Sequence, residues 1–191
     1  MAQISNIEEF KSRLVDGGAR PTLFYVTCNF PTSGSVATDK DGLTTLSYMA
    51  KAASIPESIV SNIDVGFFGR RVKLAGDRTY NNWAVSIINS EDFMIRNAFE
   101  EWHSALNTPV TNTRGLPGIA SYKKDVTVTQ LSQNGFAVRT YKLIGVFPIQ
   151  IGAIDLSWDN QNTIEEFPVT FAYDYWTLEG GLSGQRRAGP T

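Results

Sequence analysis

The sequence predicts a mainly β fold with one main helix, and three observations carry that expectation. Aromatic residues make up 12% of the 191 residues and fall largely in alternating segments, the pattern of packed sheets. From Pro21 onward the dominant hydrophobic period is two residues rather than 3.6. Only one internal stretch, Ser90 to Leu106, carries a strong helical pattern. The length suits one domain, able to bury roughly 70% of its unfolded surface around a single core.

The chain opens with a helix signal. Ser5 with Glu8, or Asn6 with Glu9, has capping-box spacing, and Ile7, Phe10 and Leu14 give one narrow apolar face. Gly17 and Gly18 stop this helix, which is short enough to need a partner surface. A strand follows, with Phe24, Val26, Cys28 and Phe30 on one side and Leu23, Tyr25, Thr27 and Asn29 on the other. Residues 31–45 are polar and Gly-containing, and read as an extended loop.

Between Leu46 and Ile88 several strands are expected, with breaks at Pro56, Gly66, Gly69 and Gly76. The clearest sets Trp83, Val85 and Ile87 against Ala84, Ser86 and Ile88. In the main helix, Ile95, Ala98, Phe99, Trp102, Ala105 and Leu106 share a face. Asn89 or Ser90 is the expected cap, and Glu91 and Asp92 suit the positive end of the helix dipole.

Beyond the loop containing Pro109 and Gly118, the pattern is strand and turn. Asn134-Gly135 is a hairpin signal between Val126/Val128 and Phe136–Ile144. Ile154, Leu156 and Trp158 alternate before a turn at residues 159–162, and Phe167 to Tyr175 is the longest strict alternation. Pro168 lacks a donor, so an edge or a bulge is expected there. The organisation is then one domain over residues 1–179, with an N-terminal arm and helix at 1–19, and a flexible tail at 180–191. Phe24, Trp83, Phe99, Trp102, Trp158 and Phe171 are the expected core aromatics.

Composition narrows function mainly by exclusion. A net charge of −2 gives no global pull toward nucleic acid or an anionic membrane. No apolar run approaches the ~20 residues of a membrane span, and the N-terminus shows no signal-peptide pattern, so a protein folded in a cytoplasm is expected. Cys28 is the single cysteine and shares an apolar strand face, which reads as a buried, inert thiol rather than a nucleophile. His103 is the single histidine and has neither a second ligand nor a serine elbow, so it reads as a plain helix residue. The carboxylate pairs Glu100-Glu101 and Glu165-Glu166 are sequence neighbours and point to different faces. No phosphate-cradling motif is present, and no metal, cofactor or catalytic residue is assigned.

The densest polar cluster runs from Arg70 to Arg78 and includes Arg71, Lys73 and Asp77. A nucleic-acid stripe is one reading. An amphipathic strand whose charges pair with acids of the same chain or of a neighbouring subunit is favoured, because the chain is acidic overall.

The segment from Val65 to Trp83, including Gly66-Phe67-Phe68-Gly69-Arg70-Arg71 and Gly76-Asp77-Arg78-Thr79-Tyr80, resembles the signature of tail-tube proteins from contractile-tailed phages. Supporting similarities lie at residues 20–24, 122–124, 145–148 and 156–176, so the resemblance spans most of the chain from Arg20 to Trp176. The polar stretch around residues 33–42 and the segment after Leu178 are longer than in compact relatives.

The resemblance implies a two-sheet β-sandwich or barrel-like fold with one flanking helix. It further implies homohexameric rings stacked into a hollow tube, surrounded by a tail sheath protein and met by baseplate and tail-terminator proteins. DNA would pass through the lumen without specific binding. Phe67, Phe68, Arg70, Arg71, Asp77 and Arg78 are the expected subunit-interface residues, with the arginines at contacts rather than free in the channel. A single tube-initiating or terminating ring of the same fold, and a β-sandwich binding module, are the competing readings.

Overall fold

The computed structural model describes residues 7–14, 18–31 and 46–181. The long polar loop, apart from Pro31, and the tail beyond Gly181 lie outside the described residues. Helix α1 spans Ile7–Arg13, and β1 spans Phe24–Cys28. The chain resumes in a helical turn at residues 46–49. Strands β2 (Ala50–Ala53), β3 (Ile59–Phe67), β4 (Arg70–Thr79) and β5 (Trp83–Ile88) follow, leading to helix α2 (Met94–Leu106) and the short helix α3 (Ile119–Tyr122). Strands β6 (Lys124–Leu131), β7 (Ala137–Ile151), β8 (Glu166–Ala172) and β9 (Tyr175–Gly181) complete the order.

All the sheet pairings are antiparallel. The main sheet runs β1-β6-β7-β8-β5-β2, with β9 also paired to β7. It works as two sheets hinged on one strand. The first half of β7 pairs with β6 and β9, and its last residues pair with β8. The change of sheet falls at Gly145, whose φ of +70° suits glycine. Asp174 makes the same change on the returning chain, and its N–H donates to the Ile144 carbonyl at 3.0 Å. The Phe167–Tyr175 alternation is therefore two strands, β8 and β9, broken at residues 173–174. The described strands do not close into a barrel.

The core lies between the sheets and under α2. Val26, Cys28, Val85, Ile87, Val126, Leu143, Phe167 and Val169 point into it from the strands, and Ile95, Phe99 and Trp102 from the helix. Phe99 meets Phe30 and Phe171 edge to face at 5.1 and 5.7 Å. The Trp102 indole N–H donates to the Tyr122 carbonyl at 3.1 Å, so burial leaves no orphan donor.

Several expectations need correction. Trp158 is not a core residue: it is 100% exposed, and residues 152–165 form an irregular loop rather than a strand. Three alternating residues beside a turn find no sheet edge to join, and only Ile154 turns toward the core. Phe24 is half-buried, whereas Trp83, Phe99, Trp102 and Phe171 are buried. Gly66 and Gly76 lie inside β3 and β4 instead of breaking them.

Helix α2 begins four residues later than expected. Residues 90–93 form a turn in which the Phe93 N–H reaches the Ser90 carbonyl at 2.9 Å, and Asp92 accepts the first helical N–H, from Met94, at 3.2 Å. Asn89, the expected cap, is buried and instead ties to Glu165 through both its backbone and side-chain N–H groups. At the C-terminus, β9 extends through Gly181, paired with Arg139, two residues into the segment read as tail.

Pro168 sits on β8, an internal strand, paired with Ser86 of β5. The β7 ladder ends at Ile151 opposite Val169, and the Gly152 N–H donates to the Pro168 carbonyl at 2.7 Å. The proline nitrogen lies on the same side as that carbonyl and cannot donate a return bond, and the Gly152 carbonyl instead accepts from the Arg96 guanidinium at 3.2 Å. Gly152 is required by the close approach: a Cβ there would lie 2.5 Å from the Pro168 ring.

Candidate functional site: an outlying hairpin

Strands β3 and β4 form a separate two-stranded sheet. Their turn is the pair Phe68-Gly69, with φ of 43° and 80°, both in the left-handed region that a tight two-residue hairpin turn demands. All six residues expected at a subunit interface fall on this element: Phe67, Phe68, Arg70, Arg71, Asp77 and Arg78. Phe67 and Phe68 stack edge to face at 4.5 Å at the tip, where Phe68 is 93% exposed.

The register sorts the hairpin into two faces. Ile63 opposes Leu74, Val65 opposes Val72, and Phe67 opposes Arg70, giving a continuous apolar strip. The other face carries the pairs Asp64–Lys73, Gly66–Arg71 and Val60–Arg78. A bulge between Val60 and Asn62 increases the local twist. Gly76 lies close beside it, and a Cβ there would press on the Ser61 hydroxyl. Every residue of β3 is exposed, and so is β4 apart from Gly76. A nine-residue strand reaches about 30 Å, comparable to the width of a small domain.

The root of the hairpin is held firmly. The Glu57 carbonyl accepts from the Trp176 indole at 3.1 Å and the Tyr173 hydroxyl at 3.4 Å. Asn81 donates to the Glu57 carboxylate at 2.6 Å, and the Trp83 indole donates to the Ser54 carbonyl at 2.7 Å. Burial and the nearby Glu57 carboxylate raise the Tyr173 phenol above its ordinary range.

Among the described residues, the charges of the cluster make no ion pair. Among the described residues, the seven ion pairs lie elsewhere, for example Lys123–Asp174 and Lys142 with Asp125 and Glu179. Within the described residues, acids of the same subunit therefore do not serve the arginines.

The residues set aside as non-catalytic sit accordingly. His103 is exposed on α2 beside buried Trp102. Cys28 is buried, and desolvation pushes its thiol far above the ordinary range, away from the reactive thiolate. Among the described residues no group of three His, Cys, Asp or Glu side chains could hold a metal, and no helix is long and apolar enough to cross a membrane.

The fold is similar to that of chains in solved contractile injection assemblies. The chain superposes on a chain from the tube-terminating cap of the anti-feeding prophage with a TM-score of 0.60 at 18% identity, covering 84% of this chain and 90% of the other. It superposes on a chain from the PVC sheath–tube complex, an extracellular contractile injection system in its extended state. There the TM-score is 0.55 at 14% identity, covering 88% and 96%. The sequence is 34% identical to the tail tube protein gp19 of Enterobacteria phage T4 over 160 residues, 83% of this chain and 90% of that one. The chain belongs to the phage tail tube protein family, whose model matches residues 19–179, and it is a structural component of a contractile phage tail.

Proposed function

We propose that copies of this chain close into hexameric rings that stack into the tail tube, with the β3–β4 hairpin as the principal contact between copies. The observation that carries this reading is the hairpin itself: a two-stranded sheet with an apolar strip, exposed on both faces and attached only at its root. An isolated hairpin is marginally stable in water and needs a third layer or strand to gain independent stability. A neighbouring copy supplies that layer, and a heterologous contact that closes removes the lateral edges. Arg70, Arg71 and Arg78 then pair with acids of the neighbour instead of lining the channel. A lumen without ordered rows of cations suits the passage of DNA, since each engaged phosphate adds a salt-dependent attraction.

The tube so formed is sleeved by a sheath, starts on a baseplate and ends at a terminator, and it assembles in the host cytoplasm before residing in the virion. Its role is structural, without a catalytic step. The 34% identity to a tail tube protein over 90% of its length, against 27% to a baseplate tail-tube junction protein over 42% of its length, favours a polymerising subunit over a single ring.

Negative-stain microscopy of the concentrated full chain, with and without a nucleating ring, tests the reading. Hollow stacks of six-fold rings are expected. A protein that stays monomeric at high concentration under both conditions rejects it.

A further inference from the structure

Two features of the subunit remain unaccounted for by the hairpin. The first is the loop at residues 152–165, which presents Leu156 and Trp158 to solvent, the latter fully. The loop carries Asp155, Asp159 and Glu165 and no basic residue. The second is an apolar cleft of about 300 Å³ where β1, β6 and β7 face the chain leaving β2, lined by Phe24, Ala53, Ile55, Val128 and Tyr141. Its rim is basic. Arg20 precedes the lining Pro21, and its carbonyl accepts from Gln130 at 3.4 Å; Arg139 lies opposite Gln130 and sits over the Tyr141 ring at 5.4 Å. Neither arginine makes an ion pair among the described residues.

The strand register ties these features to opposite ends of β5. The loop runs into Glu166, which pairs with Ile88 at one end of β5. The cleft lies by the other end, where Trp83 pairs with Phe171 and its indole holds the Ser54 carbonyl, one residue before Ile55. Five residues of strand separate the two ends, about 17 Å.

We infer that Trp158 and Leu156 of one copy enter the cleft of the next copy along the tube, with Asp155 and Asp159 meeting Arg20 and Arg139. Size fits, since the cleft can receive one indole; charge fits, acidic loop against basic rim. A knob and a socket on different surfaces of one chain make a head-to-tail contact, which propagates along the tube where its rotation does not close a ring. Repeated around a ring, a contact too small to hold two free subunits becomes strong through multivalency. This rests on the tube reading and assigns its axial contact.

The test uses the full chain under conditions where the unaltered protein forms tubes. Trp158→Ala is expected to leave rings but shorten the stacks at least about tenfold, and Trp158→Phe to restore much of the length. Asp155→Arg with Asp159→Arg should stop stacking, and adding Arg20→Asp and Arg139→Asp should restore it. Trp158→Cys with Ile55→Cys should give disulfide-linked ladders in tubes upon oxidation. Trp158→Ala tubes of normal length, loss of the rings themselves, or normal tubes that yield no ladder would overturn the axial contact while leaving the tube reading intact. Failure of the unaltered protein to form rings or tubes would remove both.

Discussion

Trp83 and Trp158 are the same residue type in equally plausible alternating patterns, yet one is 2% exposed and the other 100%. Trp83 packs on Phe171 at 5.6 Å and satisfies its indole N–H on Ser54. Replacing it with alanine removes both the burial and the hydrogen bond, so Trp83→Ala should cost ~3–5 kcal/mol in equilibrium denaturation. Trp158→Ala should change stability by less than about 0.5 kcal/mol. A loss below about 1 kcal/mol for Trp83 would mean that its strand face is assigned backwards. What separates the two tryptophans is the neighbouring chain: Trp83 has β8 beside it, while Trp158 has no strand partner, and pairing over long sequence separations is not written in a local window. The same reason hid the fate of Asn89, whose cap chemistry is spent on Glu165, 76 residues away.

The hairpin is the element whose sequence and structure agree on place but not on construction. Residues 65–83 marked the site, and all six candidate interface residues lie there. The glycines suggested several short strands, but Gly66 and Gly76 are interior, the latter close to Ser61 across the bulged register. Only Gly69 forms the turn. Since the strip formed by Ile63, Val65, Val72 and Leu74 is exposed in the single subunit, polar substitutions there should not unfold it. Val65→Asp with Val72→Asp is expected to keep the thermal melt within a few degrees and to abolish rings in sedimentation velocity. Rings of normal yield would remove the hairpin from the interface. Helix α1 repeats the theme on a smaller scale, with its charges paired along the helix as Glu8–Lys11 and Glu9–Arg13 while Ile7 and Phe10 stay exposed. The sequence reading is of a short helix that needs a partner surface, and among the described residues none of its side chains is buried.

For the whole molecule, the charge balance matters more than any single pair. Among the described residues, Arg70, Arg71 and Arg78 make no ion pair, nor do the cleft-rim arginines, although the protein is acidic overall. If neighbouring copies supply the acids, assembly should weaken as salt rises, because exposed charges are screened beyond about 10 Å at 0.1 M. The critical concentration for tube formation, followed by light scattering, should increase with ionic strength. Arg70→Gln with Arg71→Gln and Arg78→Gln should flatten that dependence. Assembly promoted by salt would point to apolar contacts alone.

The fifteen-residue β7, which belongs to both sheets, has a mechanical consequence. A pull that tries to slide one sheet over the other meets covalent backbone crossing between them, at β7 and again at Asp174, so load passes through peptide bonds as well as through packed side chains. A cylinder made of such units resists shear without needing a stiffer core, which is useful for a rod driven forward by a contracting sleeve.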